Sequence, residues 1–183
     1  MAIGNSSIEI IPSSQVCLGN SSGRIKIELF GDYETAATLE AHLLAKKMVE
    51  KYPEEIGYYF RHFPLTQVHQ QSHKAAEAAV GAAQENKFWE MHERLLKEKQ
   101  LGVISLRLYA REEGVTDKKF LDKLVNSTFG WTVRADLLEG LDRGVRSVPS
   151  FMINDQPVLI DGNWAKLPKV VKELLSELNS VKD

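Results

Sequence analysis

A chain of 183 residues, 43% hydrophobic and 26% charged, is long enough to bury a core without disulfides and has the composition of a globular domain. Its formal charge of -2, from 23 Lys and Arg against 25 Asp and Glu, argues against a nucleic-acid partner, since no basic block could follow a phosphate backbone. No window approaches the roughly 18 consecutive apolar residues of a membrane span, and Cys17, the single cysteine, cannot close an internal disulfide.

The N-terminal residues lack the basic region and apolar run of a signal peptide, so the expected location is cytoplasmic, or extracytoplasmic if a leader has been removed. Ser7 to Ile11 and Arg24 to Phe30 alternate with period two and predict strands, with turns at Pro12-Ser13-Ser14 and Gly19 to Gly23. From Thr35 to about Glu50, Ala37, Ala41, Leu44 and Met48 keep helical spacing until Tyr52-Pro53 stops it. Ile56 to Phe63, rich in aromatics, reads as a second central strand.

Helical patterns then follow one another. They cover Ser72 to Gln84, Lys87 to Lys97 with Phe88, Trp89, Met91 and Leu95 as core candidates, Leu106 to Glu113 capped by Ser105, Asp117 to Val125 capped by Thr116, and Trp131 to Arg143. Strands return at Pro149 to Ile153 and Pro157 to Ile160, joined by Asn154-Asp155 as an antiparallel hairpin, before a closing helix at Leu167 to Asn179. The order predicts an α/β fold in which a parallel strand-helix-strand unit carries an inserted run of helices.

Four stretches, FGDYE (Phe30 to Glu34), YYFRHFPL (Tyr58 to Leu65), AAEAAVGAAQENKFWEMHERLL (Ala75 to Leu96) and GVRSVPSFMIND (Gly144 to Asp155), resemble in order the DsbA-like branch of the thioredoxin superfamily. The likeness is to its short members and to the related domain fused to some sodium/proton antiporters. The resemblance implies a thioredoxin-like fold with an inserted all-helical subdomain. Residues 24–64 and 144–183 would form the thioredoxin-like domain, 65–143 the helical lobe, and 1–23 an N-terminal arm or strand. It also implies thiol-disulfide chemistry by a Cys-x-x-Cys pair, where this chain has Thr35-Ala36-Ala37-Thr38.

That replacement is chemically severe. A free thiol ionises near 8.5 and is pulled lower by the unpaired N–H groups of a helix start. An alcohol ionises about as reluctantly as water, near 15.7, so an alkoxide at neutral pH costs about 12 kcal/mol against about 2 for a thiolate. A helix terminus returns at most ~2 kcal/mol. Neither His42, two turns along the helix, nor Asp32 is an evident base for Thr35. Thr35 is expected to cap the helix through its side-chain oxygen, or else to offer a hydroxyl to a ligand.

The resemblance further implies a cis Val148-Pro149 bond beside the helix start, leaving Val148 backbone groups open to an extended polypeptide or to glutathione. The expected binding residues are therefore Thr35, Ala36, Ala37, Thr38, Val148 and Pro149, with no metal and no cofactor unless glutathione binds. His69, His73 and Glu77 at helical spacing suit a solvated helix start better than a metal site. His62 reads as a hydrogen-bonded structural histidine and Cys17 as a structural thiol. Three functions fit: a redox-inactive binding or chaperone-type module, a glutathione-dependent enzyme holding the thiolate with Thr35, or an active oxidoreductase whose cysteines have been mutated.

Overall fold

The alternating residues of RIKIELF form a strand, and its two faces organise the molecule. The computed structural model describes residues 9–159 and 162–180. In chain order the elements are β1 (Leu18–Gly19), β2 (Ile25–Gly31), α1 (Ala36–Lys51), β3 (Ile56–His62), α2 (Ser72–Ala83), α3 (Phe88–Leu95), α4 (Val103–Glu112), α5 (Phe120–Val125), α6 (Gly130–Asp142), β4 (Ser150–Ile153), β5 (Gln156–Leu159) and α7 (Leu167–Ser180). The sheet order is β1-β3-β2-β4-β5, with β2 and β3 parallel across α1 and the other pairs antiparallel. Asn154 and Asp155 turn the β4-β5 hairpin with φ of 48° and 64°, as a type I′ turn requires.

Ile25, Ile27 and Leu29 of β2, with Ile56, Tyr58 and Phe60 of β3, face one large core that runs without a break into α1, the Ala-rich α2, α3, α4 and α7. The alternate positions face α6. There Phe30 and Met152 pack with Phe63 and Val145, and Gly140 lets α6 approach: a Cβ at 140 would lie 2.9 Å from the rings of Phe30 and Phe63. Beside them is a buried ionic network in which Arg61 reaches Glu28 (2.7 Å), Asp136 (2.8 Å) and Glu139, while Arg143 reaches Glu28 at 2.8 Å. Burial would raise the Glu28 carboxyl, but the hydrogen bond from Arg143 and the charges of Arg143, Lys26 and Arg61 hold it below the usual carboxylate range.

Several boundaries differ from expectation because long-range partners decide them. Of Ser7 to Ile11, residues 7 and 8 lie outside the described residues, and Glu9 to Ile11 form no strand. The Gln84 amide takes both backbone groups of Ile11, each at 3.0 Å, in place of a neighbouring strand. The strand beside β3 is instead Leu18–Gly19, whose second residue is the first of the expected Gly19 to Gly23 turn. Ser105 does not cap α4, which begins at Val103 after Gly102; the Gly102 carbonyl accepts Leu106 N–H at 2.9 Å. Thr116 does not cap α5 either: its N–H and hydroxyl go to Glu85, and Asp117 Oδ1 accepts Lys119 N–H at the turn that leads into the helix.

Candidate functional site

β2 and β3 run parallel, so their C-terminal ends share one edge of the sheet, and four segments meet there. Gly31 closes β2 and must be glycine, because a Cβ would stand 2.5 Å from Thr38 Cγ2 and 2.7 Å from Phe60 Cε2. The first turn of α1 therefore sits directly on the strand end. Ser150 pairs with Phe30, which carries Val148-Pro149 to the same edge, opposite the turn that follows Gly31. The Val148-Pro149 peptide is cis. Val148 N–H and C=O make no hydrogen bond among the described residues.

Asp32 ties the turn together. Its buried carboxylate accepts Glu34 N–H and Leu65 N–H, each at 2.7 Å, and lies 3.1 Å from His69 Nδ1. This His/Asp pair beside the turn is invisible in the sequence, where His69 shares helical spacing with His73. In the structure His69 precedes α2 and turns to Asp32, whereas His73 faces Glu77 at 3.6 Å. The three residues thus do not share one helical face, and no group of three or more His, Cys, Asp or Glu suited to a metal occurs among the described residues.

Thr35 occupies the cap position of α1, and its carbonyl accepts Thr38 N–H at 2.9 Å. Its hydroxyl does not cap, contrary to expectation. Thr35 Oγ1 is buried and has no hydrogen-bond partner among the described residues, so neither His69 nor Asp32 is wired to it as a base. The first-turn N–H groups of the helix thereby stay free of side-chain capping. Thr38 is fully buried, with Oγ1 at 3.4 Å from Asp32 N–H, and Pro149 is buried too. A ligand at this edge therefore meets Thr35, Ala36, Ala37 and Val148, while Thr38 and Pro149 shape the surface from beneath.

Cys17 is remote from this edge. Its Sγ lies beside Gly57, at the opposite end of β3, and approaches Leu18 C=O at 3.5 Å. The five residues from Gly57 to His62 put it roughly 17 Å along the sheet from the α1 start, at ~3.3 Å per residue. The structural reading of His62 needs one correction. Both ring nitrogens are buried without partners among the described residues, and the ring packs among Tyr33, Phe60 and Phe88. Sequence reasoning also missed that His42 and His92 join it in the core. His42 Nδ1 is 3.0 Å from Tyr58 Oη and 3.2 Å from His92 Nε2, and His92 Nδ1 is 2.8 Å from Tyr33 Oη.

A protein-family model described as Thioredoxin matches residues 13–173. Among curated proteins, the Na(+)/H(+) antiporter NhaA 3 of Salinispora tropica is 26% identical over 148 residues, covering 80% of this chain and 22% of that protein. The chain thus spans about a fifth of the length of that relative. Oxidised BdbD from Bacillus subtilis superposes with a TM-score of 0.77 at 19% identity, over 92% of this chain and 96% of that one. The thiol-disulfide exchange protein alpha-DsbA2 of Wolbachia pipientis gives 0.70 at 21%, over 86% of each chain. The chain belongs to the thioredoxin family, as a thioredoxin-like domain whose structural neighbours include DsbA-type thiol-disulfide oxidoreductases.

Proposed function

We propose that this chain is a DsbA-like module without dithiol chemistry that binds extended polypeptide at the edge formed by Thr35, Ala36, Ala37 and Val148. One observation carries the reading: alcohols stand at both positions of the thiol pair, and the single thiol lies at the far end of the sheet. The open backbone groups of Val148 suit strand-like pairing with a client, which requires no sulfur. Insulin reduction by the wild-type chain is expected at background. In an NMR titration with an unfolded, carboxymethylated polypeptide, amide shifts are expected at Ala36, Ala37 and Val148, and Val148→Asp should weaken binding about tenfold or more. Dithiol turnover, or shifts that avoid this edge, would refute the proposal.

A second reading rests on Thr35 Oγ1. A groove of about 440 Å³ runs beside it, lined by Tyr33 and Leu39, by Lys97 and Lys99, and by the carboxylates of Glu34, Glu40 and Glu98. Rotation of the Thr35 side chain would bring Oγ1, buried in this structure, to face that groove, where a glutathione thiolate could accept its hydrogen bond while the glutathione carboxylates meet the two lysines. Calorimetric titration with glutathione would then saturate and lose about tenfold in affinity on Thr35→Val, and equal affinity for the two proteins would dismiss this reading.

A further inference from the structure

The N-terminal half of α6 carries an apolar pocket that neither the thiol positions nor the Val148 edge explains. It has a volume of about 360 Å³ and is lined by Thr66, His73, Ser127, Trp131, Arg134 and Leu137. Trp131 is 80% exposed, unusual for the largest apolar side chain, and along the same helix Leu138 and Leu141 are exposed as well. Arg134 forms no ion pair among the described residues, and its guanidinium lies 5.8 Å from the centre of the Trp131 ring. The other basic side chains nearby are engaged or neutral. Lys74 is held by Glu77, the Leu124 carbonyl and Ser127, while burial lowers the His73 pKa despite Glu77. At neutral pH the pocket is an indole face with one unpaired positive charge.

The pocket and the proposed polypeptide-binding edge share one hydrophobic cluster: Leu137 lines the pocket and, like Val148 and Leu65, packs against Phe30 and Phe63. Thr66 follows Leu65, whose N–H is held by Asp32. From Leu137 to Trp131 is about 9 Å along the helix, the span of roughly three residues of extended chain.

We propose that this pocket is a specificity subsite for the client polypeptide and takes an aromatic or large aliphatic side chain flanked by a carboxylate. The apolar side chain lies on Trp131 and Leu137, and the acidic neighbour pairs with Arg134. The assignment rests on the polypeptide-binding reading and adds to it a sequence preference a few residues from the segment paired at Val148. An exposed guanidinium over an indole discriminates by charge as well as by contact, because a basic neighbour would be repelled where an acidic one is attracted.

The test uses two fluorescently labelled ten-residue peptides, identical except that a central Phe is flanked by Glu in one and by Lys in the other. Anisotropy titrations compare the full wild-type chain with Arg134→Glu, Trp131→Ala, Trp131→Phe and Val148→Asp. All the pocket changes are at exposed positions, and far-UV circular dichroism checks that each variant is folded. The wild type should prefer the acidic peptide about tenfold. Arg134→Glu should reverse that preference, and Trp131→Ala should weaken both peptides several-fold, with Trp131→Phe restoring most of the loss. An unchanged preference in Arg134→Glu, with binding still lost in Val148→Asp, would overturn the subsite and leave the client reading standing. No binding of either peptide to the wild type would overturn both. A dimer of the wild type that Trp131→Ala dissociates, seen by sedimentation velocity, would give the pocket to a second copy of the chain and overturn the proposal.

Discussion

Thr35→Cys combined with Thr38→Cys is expected to turn the chain into a dithiol oxidoreductase that reduces insulin well above the wild-type background. The two positions are three residues apart at the start of α1, one half-buried and one fully buried, so a sulfur at 35 turned to the exposed side of that residue can attack while one at 38 stays shielded to resolve. Side-chain capping does not compete for the first N–H groups of the helix, which are free to stabilise a thiolate at position 35. The thiol introduced there should titrate below the free value of about 8.5. Replacing alcohol by thiol changes the cost of the reactive anion from about 12 to about 2 kcal/mol, close to a 10⁷-fold change in its population at neutral pH. Thr38→Cys removes the methyl that lies against Gly31, so the buried position has room for sulfur. Thr35→Cys alone should form mixed disulfides without turning over. A double variant that closes its disulfide yet stays at background would show that the surrounding surface, and not only the alcohols, has lost the chemistry.

How far the sequence led can be judged element by element. The period-two run in β2, the helical spacing of α1 and the Asn154-Asp155 turn are local signals, read within a window of a few residues, and each appears in the structure where it was expected. The Thr-Ala-Ala-Thr departure was legible for the same reason. What the sequence hid depends on partners far along the chain. Ile11 is paired by Gln84, Thr116 by Glu85 and His69 by Asp32, and none of these contacts has a local periodicity to betray it. The capping expectation for Thr35 failed in another way: its residue type and position suited a cap, but its hydroxyl makes no bond to the helix start. The pocket on α6 is legible only afterwards, since in the sequence Trp131 is the start of a helical pattern, which says nothing of its exposure.

The histidine cluster carries the second large expected effect, acid destabilisation well above the range in which carboxylates titrate. Burial lowers His42 and His62 to about 4 and His92 well below its ordinary value. The opposing charges are outweighed: Glu93, 4.0 Å from His42 Nε2, and Asp136, near His62, favour the protonated forms, while Lys46, Lys97, Arg61 and His73 oppose them. The folded chain therefore binds fewer protons than the unfolded one, whose histidines titrate near 6.5. Stability is complete above that value and declines as pH falls from about 6.5 towards 4. At pH 5 each of His42 and His62 removes about 2 kcal/mol, about 4 together, and His92 acts in the same direction. That is a large part of the 5–15 kcal/mol of a typical domain and corresponds to a fall in Tm of about 8–16 °C for a chain of this size. Glu28 and Glu139, held low by arginines, begin to titrate only below this window, so the interval from 6.5 to 5 isolates the histidines. His62→Phe keeps an aromatic ring among Tyr33, Phe60 and Phe88 and removes two unpartnered nitrogens. Denaturant titrations of that variant at pH 7.5 and pH 5 should lose about 2 kcal/mol less on acidification than the wild type. Equal losses in the two proteins, or a wild-type Tm that does not move across the interval, would mean that the buried rings take up protons without opening the core.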